Sequence, residues 1–321
     1  MRRVVIVLVG SLLVLFLLVF FSRSAASQQV TVEHTKVRRH KSAKDRVLVD
    51  KVGVLTFDDT ARKLKFHSDA GDNLDVAYDD ITKALFEVTT HMRGGGMSQF
   101  IGGIAGAALA SKHVNDYWLY LQYKTSDGSF DNFLMEVQKE SSEKVIDKAQ
   151  QVLGSRVTIT EFPEKAEEID KNTLKDLQSK HDFKVNKKDH PLPEIKADKA
   201  LVVVVCPPLA ARYSGGGNQF KLHANDRVIA VNRMGTYGFA YLDPGKYRLV
   251  SQSENANGFE MQLEAGKDYY FLQNIFMGGW KGRTALSHNS KELVMFELEG
   301  ANLADWKRKS PEPAAVGGGS H

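Results

Sequence analysis

Hydrophobic and polar residues alternate through most of this chain. In Lys63-Leu-Lys-Phe-His67, Leu64 and Phe66 fall on one side and polar residues on the other, the period-two pattern of a half-buried strand. Gly53–Phe57 precedes it across an Asp58-Asp59-Thr60 turn, so the two form a hairpin. Leu74–Tyr78 and Ala84–Val88 follow, separated by a bend at Asp79–Thr82. Tyr117–Tyr123 and Phe130–Val137 make a further pair, joined through Thr125-Ser-Asp-Gly128, where glycine supplies the positive φ of a tight turn. The period then changes. Val145, Ile146, Ala149, Val152 and Leu153 form one stripe at helical spacing, with Ser141 or Ser142 as cap and Gly154 as the stop. These segments define a first domain over residues 47–156.

The next stretch changes character. Arg156–Thr160 offers one edge strand, and Glu161–Lys199 is dense in charge and holds Pro163, Pro191 and Pro193. That composition predicts a linker over 157–199, with a short solvated helix within Glu164–His181. Short alternating strands then return: Ala200–Cys206, Gln219–His223, Arg227–Val231, Tyr237–Leu242, Tyr247–Ser251, Phe259–Leu263, Tyr269–Leu272 and Glu292–Leu298. Separated by Gly, Pro and Asx turns, they predict an all-β sandwich over 200–309. Asn302–Lys309 reads as a short closing helix or tail, and 310–321 as a flexible tail. The expected fold class is mainly β with few helices.

The entrance to the chain has a different pattern. Met1-Arg2-Arg3 is followed by an apolar run from Val4 to Phe21. Its length is near the lower limit for crossing a hydrocarbon core about 30 Å thick. Ser24, Ala25 and Ala26 suit a signal-peptidase site. Residues 1–27 are therefore an export signal peptide or a transmembrane anchor helix, and both readings stand. No Cys follows the run, so a lipoprotein-type anchor is not offered. In the usual export orientation either reading makes the rest exported, membrane-anchored or periplasmic/extracellular, with the membrane as first partner, and an inverted anchor is the alternative. Residues 28–46, with Lys36, Arg38, Arg39, Lys41, Lys44 and Arg46, read as a basic tether.

Charge and chemistry narrow the function. The net charge of +4 is small and spread out, and the basic cluster is not interleaved with aromatics, so no nucleic-acid partner is expected. Cys206 is the only cysteine, which excludes an intrachain disulfide, and its apolar strand predicts a buried, inert thiol. There is no His-Glu-x-x-His and no Gly-x-Ser-x-Gly. Asp58-Asp59 and Asp79-Asp80 read as solvated turns, and His190 and His288 as surface histidines. No catalytic, cofactor-binding or metal-ligating residue is predicted, and the chain is expected not to be an enzyme.

Two segments invite contact. The insertion 94–110 is rich in Gly and Ala, and Gly102 and Gly106 have the small-xxx-small spacing that lets helices approach closely. It reads as a loop that dips into a bilayer or pairs with another copy, a route to a homo-oligomer, or else as a helix lying on the first domain. Gly94, Gly95 and Gly96 lack the Lys-Ser/Thr ending of a phosphate loop. Trp280 and Arg283 sit in a Gly-rich loop as a candidate partner anchor, against the alternative that the Trp packs on the sandwich.

Gly53-Val-Leu-Thr-Phe57, Leu74-Asp-Val-Ala-Tyr-Asp-Asp-Ile81 and the terminal helix resemble bacterial pleckstrin-homology-like domains. That resemblance implies a β-barrel capped by a C-terminal helix, a scaffold for lipid headgroups, peptides or proteins. Lipid-binding members use a basic loop between the first two strands. The corresponding loop here, read as Asp58–Lys63, opposes an anionic headgroup with two aspartates. Arg227-Val-Ile-Ala-Val-Asn232, Pro244-Gly-Lys-Tyr247 and Ala265-Gly-Lys-Asp-Tyr-Tyr-Phe271 resemble an uncharacterised bacterial family of envelope β-domains, a domain of unknown function, and distantly the PEGA modules. That likeness implies an exported interaction domain whose partner is an envelope protein or peptide.

Overall fold

A computed structural model describes residues 29–40, 48–71, 73–93, 112–174, 181–188, 192–208, 218–276 and 282–308. The predicted segment 1–27, the insertion 94–110 and the tail 310–321 lie outside the described residues, as do Trp280, His190, Gly94, Gly95, Gly96, Gly102 and Gly106. Among the described residues, no helix is long and apolar enough to cross a membrane.

The protein is mainly β. The first sheet takes eight strands: β1 (Val30–His40), β2 (Leu48–Asp58), β3 (Lys63–Ser68), β4 (Asn73–Ala77), β5 (Ile81–Arg93), β6 (Lys112–Lys124), β7 (Phe130–Val137) and β8 (Val157–Glu161). Their order is β4-β3-β2-β1-β7-β6-β5-β8, antiparallel except for the β5–β8 pair. Helix α1 (Lys139–Leu153) lays Val145, Ala149 and Leu153 into a core shared with side chains of β1 to β7. Its cap is Gln138, without a side-chain bond, rather than either serine, and Ser142 instead donates to the Lys139 carbonyl at 2.8 Å.

Residues 30–40 are therefore a strand and not a tether. Glu33 and His34 together oppose Val54, a bulge in which His34 adopts φ 54°. The extra residue moves Val37 onto the same buried face as Val32, so simple alternation fails to connect them. The connection between the first two strands is then residues 41–47, with Lys41, Lys44 and Arg46 and outside the described residues. The loop Asp58–Lys63 belongs to the second hairpin, between β2 and β3, and not to the connection between the first two strands. Gly53 pairs with Thr35 beside the bulge, and a Cβ there would sit 2.1 Å from the His67 carbonyl. Gly53→Ala is expected to cost about 1–3 kcal/mol in urea unfolding, the usual range for overpacking. A loss below about 0.5 kcal/mol would mean that β3 yields freely.

The remaining strands form two sheets. β10 (His181–Asn186), β11 (Ala200–Cys206), β14 (Thr236–Leu242), β17 (Asp268–Phe276), β18 (Arg283–Asn289) and β19 (Asn302–Arg308) are ordered β10-β19-β14-β11-β17-β18. β9 (Glu167–Glu168), β12 (Phe220–Ala224), β13 (Arg227–Asn232), β15 (Gly245–Gln252) and β16 (Ala256–Leu263) are ordered β13-β12-β15-β16-β9. Val202, Val204 and Phe271 of one sheet meet Leu222, Leu249 and Phe259 of the other in one core.

Four expectations are corrected here. The stretch 157–199 is threaded into all three sheets as β8, β9 and β10, because its few apolar residues, such as Ala166 and Leu174, are buried. The helix expected within Glu164–His181 is replaced by β9 and a 3-10 turn at Lys171–Thr173, with 175–180 outside the described residues. Glu292–Leu298 is not a strand but helix α2 (Lys291–Glu299), whose cap Ser290 accepts the Leu293 N–H at 3.3 Å. Asn302–Lys309 is neither helix nor tail over Asn302–Arg308, which is β19, parallel to β14 and antiparallel to β10.

Helix α2 joins the halves. Leu293, Val294 and Phe296 share a core with Leu85, Tyr120 and Leu134 of the first sheet and Leu201, Val203 and Tyr270 of the second. The layers thus run α1, first sheet, α2, second sheet, third sheet. β5, β6 and β7 are buried on both faces there, which is why Ala84-Leu-Phe86 and Phe133-Leu-Met135 are continuously apolar.

Candidate functional site

The polar groups with most chemical potential are held between elements. Arg38 of β1 pairs with Glu297 of α2, donates from Nε to Asp50 at 3.1 Å, and lies 5.8 Å over the Trp118 ring. Burial pulls its pKa down, but Glu297 and Asp50 together outweigh that and raise it. Lys36 adds contacts to Asp50 at 3.1 Å and Glu136 at 3.8 Å, and Lys83 pairs with Glu292.

Glu87 of β5 is 1 % exposed and receives the Ser290 N–H on both oxygens at 3.2 Å. Asn289 donates to it at 2.9 Å and Thr89 at 3.3 Å. A first-sheet carboxylate therefore caps the start of α2, where the helix dipole favours negative charge. Burial nonetheless raises its pKa, against the lowering pull of these bonds.

The turn carboxylates are also engaged. Asp59 pairs with Lys148 of α1, whose side chain is nearly buried, and accepts from the Tyr78 hydroxyl at 3.2 Å. Asp58 pairs with Lys65 at 2.7 Å. The solvated reading holds for Asp79, exposed beside Arg62 at 2.9 Å, and is corrected for Asp59. Cys206 is fully buried and burial pushes its thiol pKa up, as its apolar strand implied.

His288, expected at the surface, is largely buried on β18. Its Nδ1 lies 2.9 Å from Glu164, and its ring stacks 4.1 Å from Phe162 and 5.1 Å from Phe271. Burial lowers its pKa, with Glu164 opposing. Beside it a groove of about 540 Å³ is lined by Glu164, Lys165, Ile169, Arg248, Phe259 and Glu260 among others. A histidine with a carboxylate can move a proton, and the Glu164 side of this pair borders the groove. Because the folded pKa is depressed, protonation favours unfolding. Stability is therefore full above the ordinary histidine pKa near 6.5 and falls as pH drops from there through the folded pKa. His288→Gln is expected to flatten that part of the pH–stability curve, and an unchanged slope below pH about 6.5 would assign it to other groups.

Of the residues singled out for partner contact, Arg283 alone is described. It is committed internally, donating to Glu168 of β9 at 2.9 Å with its side chain 12 % exposed. Residue patterning carries no signal for a further polar cluster, a buried amide chain between the sheets. Asn232 donates to Gln273 at 2.8 Å, Gln273 to Ser251 at 2.9 Å, and Ser251 meets Thr284 at 2.7 Å. Asn255 accepts the Thr284 N–H at 2.8 Å and donates to its carbonyl at 2.9 Å. Asn257 accepts the Leu286 N–H at 2.8 Å and also donates to the Thr284 carbonyl. These two asparagines occupy the outer edge of β18.

No family model and no curated protein matches the chain. Among solved structures, a chain in the Spt16D Pob3N heterodimer is similar at 12 % identity, over 42 % of this chain and 55 % of that one. This chain thus spans about half the length of that relative. The TM-score is 0.25, and a likeness at that level carries no argument. The class that stands is a mainly β protein of three sheets and two helices among the described residues.

Proposed function

We propose that this protein is a non-enzymatic binding or scaffold module of a cell envelope, exported and held at or beyond a membrane through residues 1–27. It recognises a protein, peptide or envelope component by its surfaces and sheet edges. The supporting observation is that Arg38, Glu87, Glu297, Asp59 and Arg283 are spent as latches between elements, while β8, at one end of the first sheet, keeps exposed positions. Residues 30–156 read as a pleckstrin-homology-like module, supported by seven antiparallel strands followed by an amphipathic helix. Residues 200–308 read as an envelope β-sandwich with a distant PEGA likeness, supported by two sheets facing across one core. The full chain, immobilised in mild detergent, should retain material from envelope extracts of its source cell saturably and in competition with free chain. Absence of retention, or turnover of an envelope substrate that Glu164→Gln abolishes, would overturn this reading.

One observation favours a second reading, a membrane-active or oligomerising protein. β5 and β6 stay paired from Thr89/Asp116 to Arg93/Lys112, beyond the last pairings with β8 and β7. This two-stranded ribbon carries the uncharged insertion 94–110. Liposome leakage caused by the full chain and lost on deleting 94–110 would support it, and equal leakage without the insertion would refute it.

A further inference from the structure

The sheet edges differ in how they are guarded. β18 is sealed by Asn255 and Asn257. β13 is buried at five of six positions, and β9 is only two residues long. β10 carries Asp182 and Lys184 at exposed positions, and Gln219 takes the His181 carbonyl. β4 carries the exposed Asp75 at its centre. Charges and side-chain cover of this kind keep edges from pairing with other chains.

β8 has no such guard. Its sequence is Val157-Thr-Ile-Thr-Glu161, with a single charge at the last position. Ile159 is 49 % exposed, and Thr158, which points to the other face, is exposed as well. Among the described residues, no group outside β5 hydrogen-bonds residues 158–161. Its three central residues, Thr158-Ile159-Thr160, also read the same in both directions. Antiparallel pairing of two copies places Ile159 opposite Ile159, Thr158 opposite Thr160, and Val157 opposite Glu161, so no like charges face each other. Thr–Thr and β-branched cross-strand pairs are favourable, and an edge pairing with itself about a two-fold axis closes without growing into a fibre.

We propose that β8 is a self-association edge, through which two copies join their eight-stranded first sheets into one continuous sheet. The proposal rests on the reading of this protein as a module that recognises through sheet edges, and names a second copy as the occupant. Five residues bury little area, so the dimer is weak, and co-localisation at a membrane is what populates it.

Cysteine cross-linking of the full chain in mild detergent tests it, with a clean background because Cys206 is buried. Ile159→Cys should give an oxidised dimer, since directly opposed Cα atoms lie about 4.5–5.5 Å apart, within disulfide reach. Phe130→Cys, at an exposed site away from the edge, should not. Thr158→Cys mixed with Thr160→Cys should cross-link, and either alone should not. No Ile159→Cys dimer above the Phe130→Cys level overturns the proposal, as does cross-linking of Thr158→Cys alone equal to that of the mixture. If Ile159→Lys stays folded by circular dichroism yet loses envelope retention without any wild-type dimer, a partner's strand holds this edge and self-pairing is overturned. Failure of retention with the cross-links intact strikes the parent reading instead.

Discussion

Arg38→Ala is expected to lower the unfolding free energy by about 3–5 kcal/mol, the cost of removing one partner from a buried ion pair. The guanidinium balances Glu297 and Asp50 at the junction of β1 and α2, so its loss leaves carboxylate charge where water cannot reach it well. Urea unfolding of the full chain in detergent checks the magnitude. The double variant Arg38→Met with Glu297→Leu should recover most of the loss, because well-packed apolar replacements of buried pairs are near neutral or stabilising. A single-variant cost below about 1 kcal/mol, the range of surface pairs, would show that solvent screens this junction.

The second large effect is expected at Asn257. Asn257→Leu keeps the volume but strands the buried Leu286 N–H, while the Thr284 carbonyl keeps its bond from Asn255. An unsatisfied buried donor costs about 1–3 kcal/mol, and a loss in that range is expected. The variant also uncovers part of the β18 edge, so sedimentation should show concentration-dependent aggregation that the wild type lacks. Asn257→Asp retains an acceptor for Leu286 and should aggregate less. Equal behaviour of the two would mean that the asparagine does not guard the edge.

Much of the β framework was legible because half-buried strands alternate. Lys63–Ser68 shows this directly, with Leu64 and Phe66 in the core as their spacing implied. The stripe of α1 was legible for the same reason. What failed to show was whatever is buried on two sides. α2 meets two sheets through Leu293, Val294 and Phe296, so it has no single apolar stripe and imitates a strand. Its usable signal was Ser290, a cap residue ahead of Glu292. β1 was hidden by its bulge, which breaks alternation, and by basic residues that suggested solvent. Arg38, the residue on which the junction depends, was counted there as one more tether charge. Arg283, the one described residue of the partner-contact set, serves β9 inside the fold, and its burial could not be read from neighbouring glycines.

The position of β1 sets a length. Were residues 4–21 to cross a bilayer, only residues 22–29 would separate the span from the first strand. Eight residues of fully extended chain reach about 29 Å at most. The folded body would then ride close against the headgroups on a short leash and sample few orientations. A membrane-embedded partner would meet the same side of it each time, and a ligand more than a body's width from the bilayer would be out of range.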